Sequence, residues 1–188
     1  VITEGKPFVV NLRPRALEHL PPAEFQPDRP MLLQLAPAWR GRGFEEKLHR
    51  AALQFVVRGG NSTTILAGYP WFTDWGRDAM ISIPGLCIAT GLKDEAREIV
   101  THFLDYQNQG LIPNIFPEHA DQPRYNTVDA TLWLVDVVFK LWTIEEIRAD
   151  DALWKKLKSI IEWHQKGTLN HTRVEPDGLL AAGDPGTQ

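Results

Sequence analysis

The sequence is poor in sulfur: 188 residues contain one cysteine, Cys87, and two methionines. A lone thiol excludes an internal disulfide framework and fits a reducing, cytoplasmic setting. Cys87 stands in an apolar run, which points to a small core residue rather than a nucleophile. No apolar run reaches the roughly 18 residues that a membrane span needs, and Val1 heads no signal-peptide pattern. A formal net charge of −4 supplies no electrostatic basis for holding nucleic acid or an anionic membrane. No fixed-period repeat is present, which disfavours an ordinary solenoid. His119, His164 and His171 lack the helical spacing to carboxylates that a metal site uses, and are read as surface or core residues. The two matches to the N-glycosylation pattern, at Asn61 and Asn170, are short enough to be incidental. The chain starts at Val1 and stops in the turn-like Gly186-Thr187-Gln188, and is taken as a piece of a longer protein.

What is present is enough apolar material, 43% of residues, for one sizeable core. The most informative stretch runs Ala67-Gly68-Tyr69-Pro70-Trp71-Phe72-Thr73-Asp74-Trp75-Gly76-Arg77-Asp78. Trp71, Asp74, Trp75, Arg77 and Asp78 gather aromatic faces, carboxylates and a guanidinium in one short segment. A sugar ring needs that mixture, because its C–H faces pack on aromatics while its hydroxyls both donate and accept. The alternative makes the tryptophans core anchors and pairs Arg77 with Asp74 or Asp78 in a structural ion pair.

Around this stretch the pattern is helical. Val1 to about residue 40 is proline-rich and reads as the tail of a preceding domain plus a linker, with an edge strand near Phe8–Leu12. Phe44, Leu48, Ala51, Ala52, Phe55 and Val56 share one helical face to about Val57, where Gly59-Gly60 ends the helix. Ser62–Leu66 is a short strand or an extended feed. A second helix follows Gly76, with Pro84 kinking it and Gly91 stopping it. A third runs from Lys93 to about Gln107 through Ala96, Ile99, Val100, Phe103 and Leu104. The fourth, Val128 to about Ile147, is apolar around most of its circumference and is expected to be buried on more than one side. The fifth runs from Ala152 to about Lys166, closed by Gly167, and a turn or hairpin is expected near Val174–Asp177. Asn126 or Thr127 can cap the fourth helix, with Asp129 favourably placed in its first turn.

The segment from Thr64 to Ile81, followed in order by Gly110-Leu111-Ile112-Pro113-Asn114, by Tyr125-Asn126-Thr127-Val128-Asp129-Ala130-Thr131-Leu132-Trp133 and by Asp177-Gly178-Leu179-Leu180-Ala181-Ala182-Gly183-Asp184-Pro185-Gly186, resembles the glycogen debranching enzyme family in its amylo-α-1,6-glucosidase domain. The resemblance covers about Phe44 to Gln188. It implies an all-α fold, an (α/α)6 toroid, of which residues 41–188 supply approximately the first half. Inner helix faces would then pack on the remainder of the barrel or, failing that, self-associate.

The activity implied is inverting hydrolysis of α-1,6-linked glucose at the branch points of glycogen, starch or a limit dextrin, without a cofactor. The resemblance carries the terminal-glucose clamp onto Arg77 and Asp78, stacking walls onto Trp71 and Trp75, and a hydroxyl ligand or an Arg77-orienting role onto Asp74. It adds Asn126 and Asp129 as candidate ligands at the start of the fourth helix. The general acid and base it implies lie beyond Gln188, and neither Asp74, Asp78 nor Asp184 is assigned to them. On the residues alone, two rivals stay open: a glucoamylase-like α-1,4-glucan hydrolase, and a non-catalytic helical carbohydrate-binding module.

Overall fold

The computed structural model describes residues 43–59, 62–68, 72–116 and 122–187. The proline-rich segment before residue 43 and its expected edge strand lie outside them, as do Trp71 and His119.

The first helix, α1, spans Phe44–Leu53 and stops four residues short of the expected end. Two tight backbone bonds close it, Gln54 N–H to Ala51 O and Phe55 N–H to Ala52 O, and the chain then enters strand β1, Val56–Gly59. The apolar pattern at Phe55 and Val56 suits either period. Pairing decides it: β1 runs antiparallel to β2, Ser62–Gly68, with Val56 opposite Ile65 and both side chains buried. Phe44 and Leu48, expected on a core-facing stripe, are exposed, and Leu53 is the buried residue of α1.

Strand β2 pairs on its other side with β3, Phe72–Asp74, through Leu66 opposite Asp74 and Gly68 opposite Phe72. The all-α expectation therefore holds only in part. Helices carry the core, but a three-stranded antiparallel sheet ordered β1-β2-β3 sits between α1 and the next helix. A glutamate fastens this sheet: Glu98 accepts from the Thr63 amide at 3.1 Å and hydroxyl at 2.8 Å, and Arg58 reaches the same carboxylate.

Helix α2, Gly76–Ile83, continues into a π-helical turn over Pro84–Ile88. Proline lacks the amide that the α-pattern requires at this point. The turn widens instead, and Ala89 donates back five residues to Pro84 O at 3.0 Å. Gly91 then terminates the segment at φ +85°, a backbone angle that strains any residue with a side chain. Helix α3, Lys93–Asp105, buries Ala96, Ile99, Val100, Phe103 and Leu104, the residues its periodicity selects.

The apolar run after Val128 forms two helices rather than one. Helix α4, Ala130–Leu141, ends at Trp142, and α5, Ile144–Ala149, begins under a reciprocal cap in which Thr143 Oγ1 accepts from Glu146 N–H while Glu146 accepts from the Thr143 amide. Arg97 seals the break by donating to Leu141 O at 2.7 Å and lying 5.1 Å over the Trp142 ring. Helix α6, Asp151–Lys166, is capped by the Asp150 carboxylate on the amides of Ala152 and Leu153. The expected hairpin appears as β4, Arg173–Val174, against β5, Leu180–Ala181.

The core is centred where α2 packs on α4, with α3 and β2 alongside; Met80, Ile83, Ile99, Phe103 and Leu134 are among its fully buried members. Helix α4 buries Leu134, Val137, Val138 and Leu141, while Leu132, Trp133 and Phe139 remain exposed, the last at 58%. No helix of the described residues is long and apolar enough to cross a membrane.

Candidate functional site

The signature segment threads from strand into helix, so Asp74 ends β3, Trp75 occupies the cap position, and Arg77 and Asp78 lie in the first turn of α2. A helix start exposes amide donors that need partners. Trp75 provides no side-chain cap. Asn114 supplies one from elsewhere in the sequence: its carbonyl accepts from Gly76 N–H at 2.9 Å, and its side-chain Oδ1 accepts from Arg77 N–H at 3.1 Å. The approach is close enough to demand glycine, because a Cβ at position 76 would sit 2.2 Å from the Pro113 carbonyl oxygen.

Arg77 Nε donates to Asp129 Oδ1 at 2.8 Å, joining the start of α2 to the start of α4 across 52 residues of sequence. This is a different partner from the Asp74 or Asp78 that the ion-pair alternative named. The two side chains are 28% and 41% exposed, so solvent screens the pair and its worth to stability is about 0–1 kcal/mol. Its larger effect is to fix the guanidinium plane. Asp129 takes the N-cap position of α4 without capping it, and neither Asn126 nor Thr127 acts as the cap.

Asn126 joins through Asn114, whose Nδ2 donates to Asn126 Oδ1 at 3.2 Å. Three hydrogen bonds thus run from Asp129 through Arg77 and Asn114 to Asn126, and the backbone from 126 to 129 closes them into a polar ring between α2, the 113–115 segment and the approach to α4. Asn114 is 1% exposed and uses both ends of its side-chain amide in that ring. Its motif was visible in the sequence, but no pattern of spacing marked its role.

Asp74 stands apart from the ring. Its carboxylate accepts from Thr64 Oγ1 at 3.2 Å, and burial pushes its pKa above the ordinary value against the opposing pull of its backbone hydrogen bond, the Thr64 hydroxyl and nearby His102. Trp75 is half-buried, bridged to Ile115, and meets the Phe72 ring edge-on at a centroid distance of 5.9 Å. Asp78 is exposed. Trp71 lies outside the described residues.

Beside the ring is an open cavity of about 350 Å³, walled on one side by Arg124, Tyr125 and Asn126 and on the other by Leu169, Asn170 and the 184–187 turn. Asn170 Nδ2 donates to Tyr125 O, and Tyr125 OH donates to Tyr106 O at 2.7 Å, so Tyr125 is held through both its backbone and its side chain. Asp184 pairs with His171, and its backbone carbonyl accepts from the Thr187 amide to close the 184–187 turn. Among the described residues, no group of three or more histidine, cysteine or carboxylate side chains is placed to hold a metal ion.

A family model described as amylo-alpha-1,6-glucosidase matches residues 50–188. A glycogen debranching enzyme of Saccharomyces cerevisiae is 33% identical over 108 residues, a match covering 50% of this chain and 7% of that protein. All of the ring residues fall inside the matched range, and on that match the chain belongs to the amylo-alpha-1,6-glucosidase family.

Proposed function

We propose that this stretch supplies the terminal-glucose subsite of a glycoside hydrolase that removes α-1,6-linked glucose from the branch points of glycogen or starch by inverting hydrolysis. The observation that carries the reading is the Arg77–Asp129 pair beside Asp78 at the start of α2. Asp129 holds the Nε edge of the guanidinium, which sets the direction of a planar donor group of the kind that binds neighbouring hydroxyls of one sugar ring. Asp78, one residue on and exposed, offers acceptors to hydroxyl protons. Trp75, and Trp71 by its place in the motif, supply the apolar surface for the sugar's C–H faces.

In this reading the ring binds and orients the terminal glucose. Inversion further requires a carboxylic acid at the leaving oxygen and a carboxylate activating water on the opposite face, about 6.5–9.5 Å apart. None of the carboxylates described above is assigned to that pair. Asp129 is committed to Arg77, and Asp74 is held at the end of a strand against Thr64. The proposed partner is accordingly a branched α-glucan, and the proposed chemistry needs no cofactor.

The test is catalytic efficiency on a limit dextrin, measured on the full-length enzyme together with its melting temperature. Truncating one partner of a hydrogen-bonded charge pair that is desolvated on binding costs about 2–5 kcal/mol. R77A and D78N should each lose at least about tenfold in kcat/KM, and R77K should recover little because an ammonium lacks the fork. Unchanged efficiency removes these residues from the site, and a loss that only follows melting returns them to a structural role.

A further inference from the structure

The closed ring fixes more than the guanidinium. Arg77 N–H can only donate, so the Asn114 side-chain atom facing it must be the oxygen, Oδ1. The other end of that amide is then Nδ2, a donor, and the Asn126 atom facing it must in turn be Oδ1. An amide orientation that ordinary structures leave to assignment is here dictated by a backbone N–H two bonds away in the network. Asn126 has its oxygen consumed by the ring. Its Nδ2 makes no hydrogen bond among the described residues, and Asn126 lines the cavity beside Tyr125 and Asn170.

We propose that Asn114 is a positioning residue that sets the polarity of this cavity wall, presenting the Asn126 amide to the glucan as a donor. The inference rests on the carbohydrate reading of the site and deepens it. A donor at the point Asn126 addresses serves any acceptor, and a ring or glycosidic oxygen, which can only accept, depends on it. Asn114 does this without touching substrate, since it is 1% exposed. It also explains why one residue serves both elements: the amide that caps α2 is the amide that orients Asn126.

Replacing Asn114 by aspartate separates these two duties. The carboxylate still accepts from Arg77 N–H, and a negative charge at a helix start is favourable, so α2 stays capped. The donor to Asn126 is gone, and Asn126 must turn its own Nδ2 inward and present its oxygen to the cavity. N114A, by contrast, loses both bonds and should melt lower.

The experiment is steady-state kinetics on the full-length enzyme with a limit dextrin, for wild type, N114D, N126A, N114D/N126A and R77A, each with its melting temperature. N114D should stay folded, melting below wild type because it buries a charge, raise KM about fivefold, as expected for one misdirected neutral hydrogen bond, and leave kcat nearly unchanged. N114D/N126A should be no worse than N126A, because the effect of position 114 passes through Asn126. Wild-type KM in N114D, or losses at 114 and 126 that simply add, overturn the inference whatever R77A does. Wild-type efficiency in R77A overturns the site reading whatever N114D does.

Discussion

Gly76→Ala tests the joint on which the candidate site is built, and competing effects make its sign informative. Alanine favours helix over glycine by up to about 1 kcal/mol, so propensity alone predicts a gain. Against that, the new Cβ would lie 2.2 Å from Pro113 O, 3.2 Å from the Pro113 carbonyl carbon and 3.3 Å from Asn114 Cα. The first distance is roughly 1 Å inside the closest normal C–H···O approach. The atom in the way is backbone, so the 113–115 segment must move bodily. Such overpacking costs about 1–3 kcal/mol. The movement also stretches the Gly76 and Arg77 amide bonds to Asn114, each worth about 1 kcal/mol net. Strain and lost bonds outweigh propensity, for a net destabilisation of about 2–4 kcal/mol, or a fall in melting temperature of about 5–15 °C for a chain of this size. Thermal melting followed by far-UV circular dichroism measures it. Gly85→Ala is the internal control, because a Cβ there meets nothing within 4 Å and the angle carries no strain; it should be neutral or slightly stabilising. If G76A melts at or above wild type, the close approach of Pro113 to α2 is not what holds the two elements in register.

Two further outcomes follow from burial. Desolvation raises the pKa of Asp74, so the folded state favours its protonated form, and between the ordinary and raised values stability falls as pH rises. D74N keeps an acceptor for the Thr64 hydroxyl and removes the buried charge, so it should melt higher than wild type at neutral pH, with the advantage fading as pH is lowered through the raised pKa toward about 3.9. A variant that melts lower at neutral pH would show that the charge is held by stronger partners than Thr64. Cys87 is fully buried and its thiol is pushed up to about 12 by burial and by Glu95, so native protein should leave an aromatic disulfide reagent unreacted while denatured protein consumes it. Rapid labelling under native conditions would place the thiol at the surface.

The parts of the fold legible in the sequence are those where one signal acts alone. The period of α3 selected Ala96 through Leu104 correctly because no strand pattern competes with it. At Phe55 and Val56 two patterns coincide, and the choice was made by Ile65, which no local window contains. The break at Trp142 does have a local signal, Thr143 three residues before Glu146, but apolar residues continue on both sides of it and mask the cap. The site shows the same division. The residues of the 74–78 segment were marked by composition. That Arg77 turns to Asp129, and that Asn114 joins Arg77 to Asn126, depends on tertiary packing between segments whose spacing is irregular.

The polar ring also has a bearing on the order of folding. Its bonds span 52, 37 and 12 residues of sequence, so the ring has no local precursor that can form ahead of the rest of the domain. Closing such loops costs entropy before any contact repays it. The repayment comes from apolar packing of α4 on α2, which must be in place before Arg77 and Asp129 can meet. A nascent or refolding chain would therefore show helix well before it shows an assembled ring. Loss of one of the ring's polar side chains would then leave the helical signal intact while the ring fails to assemble.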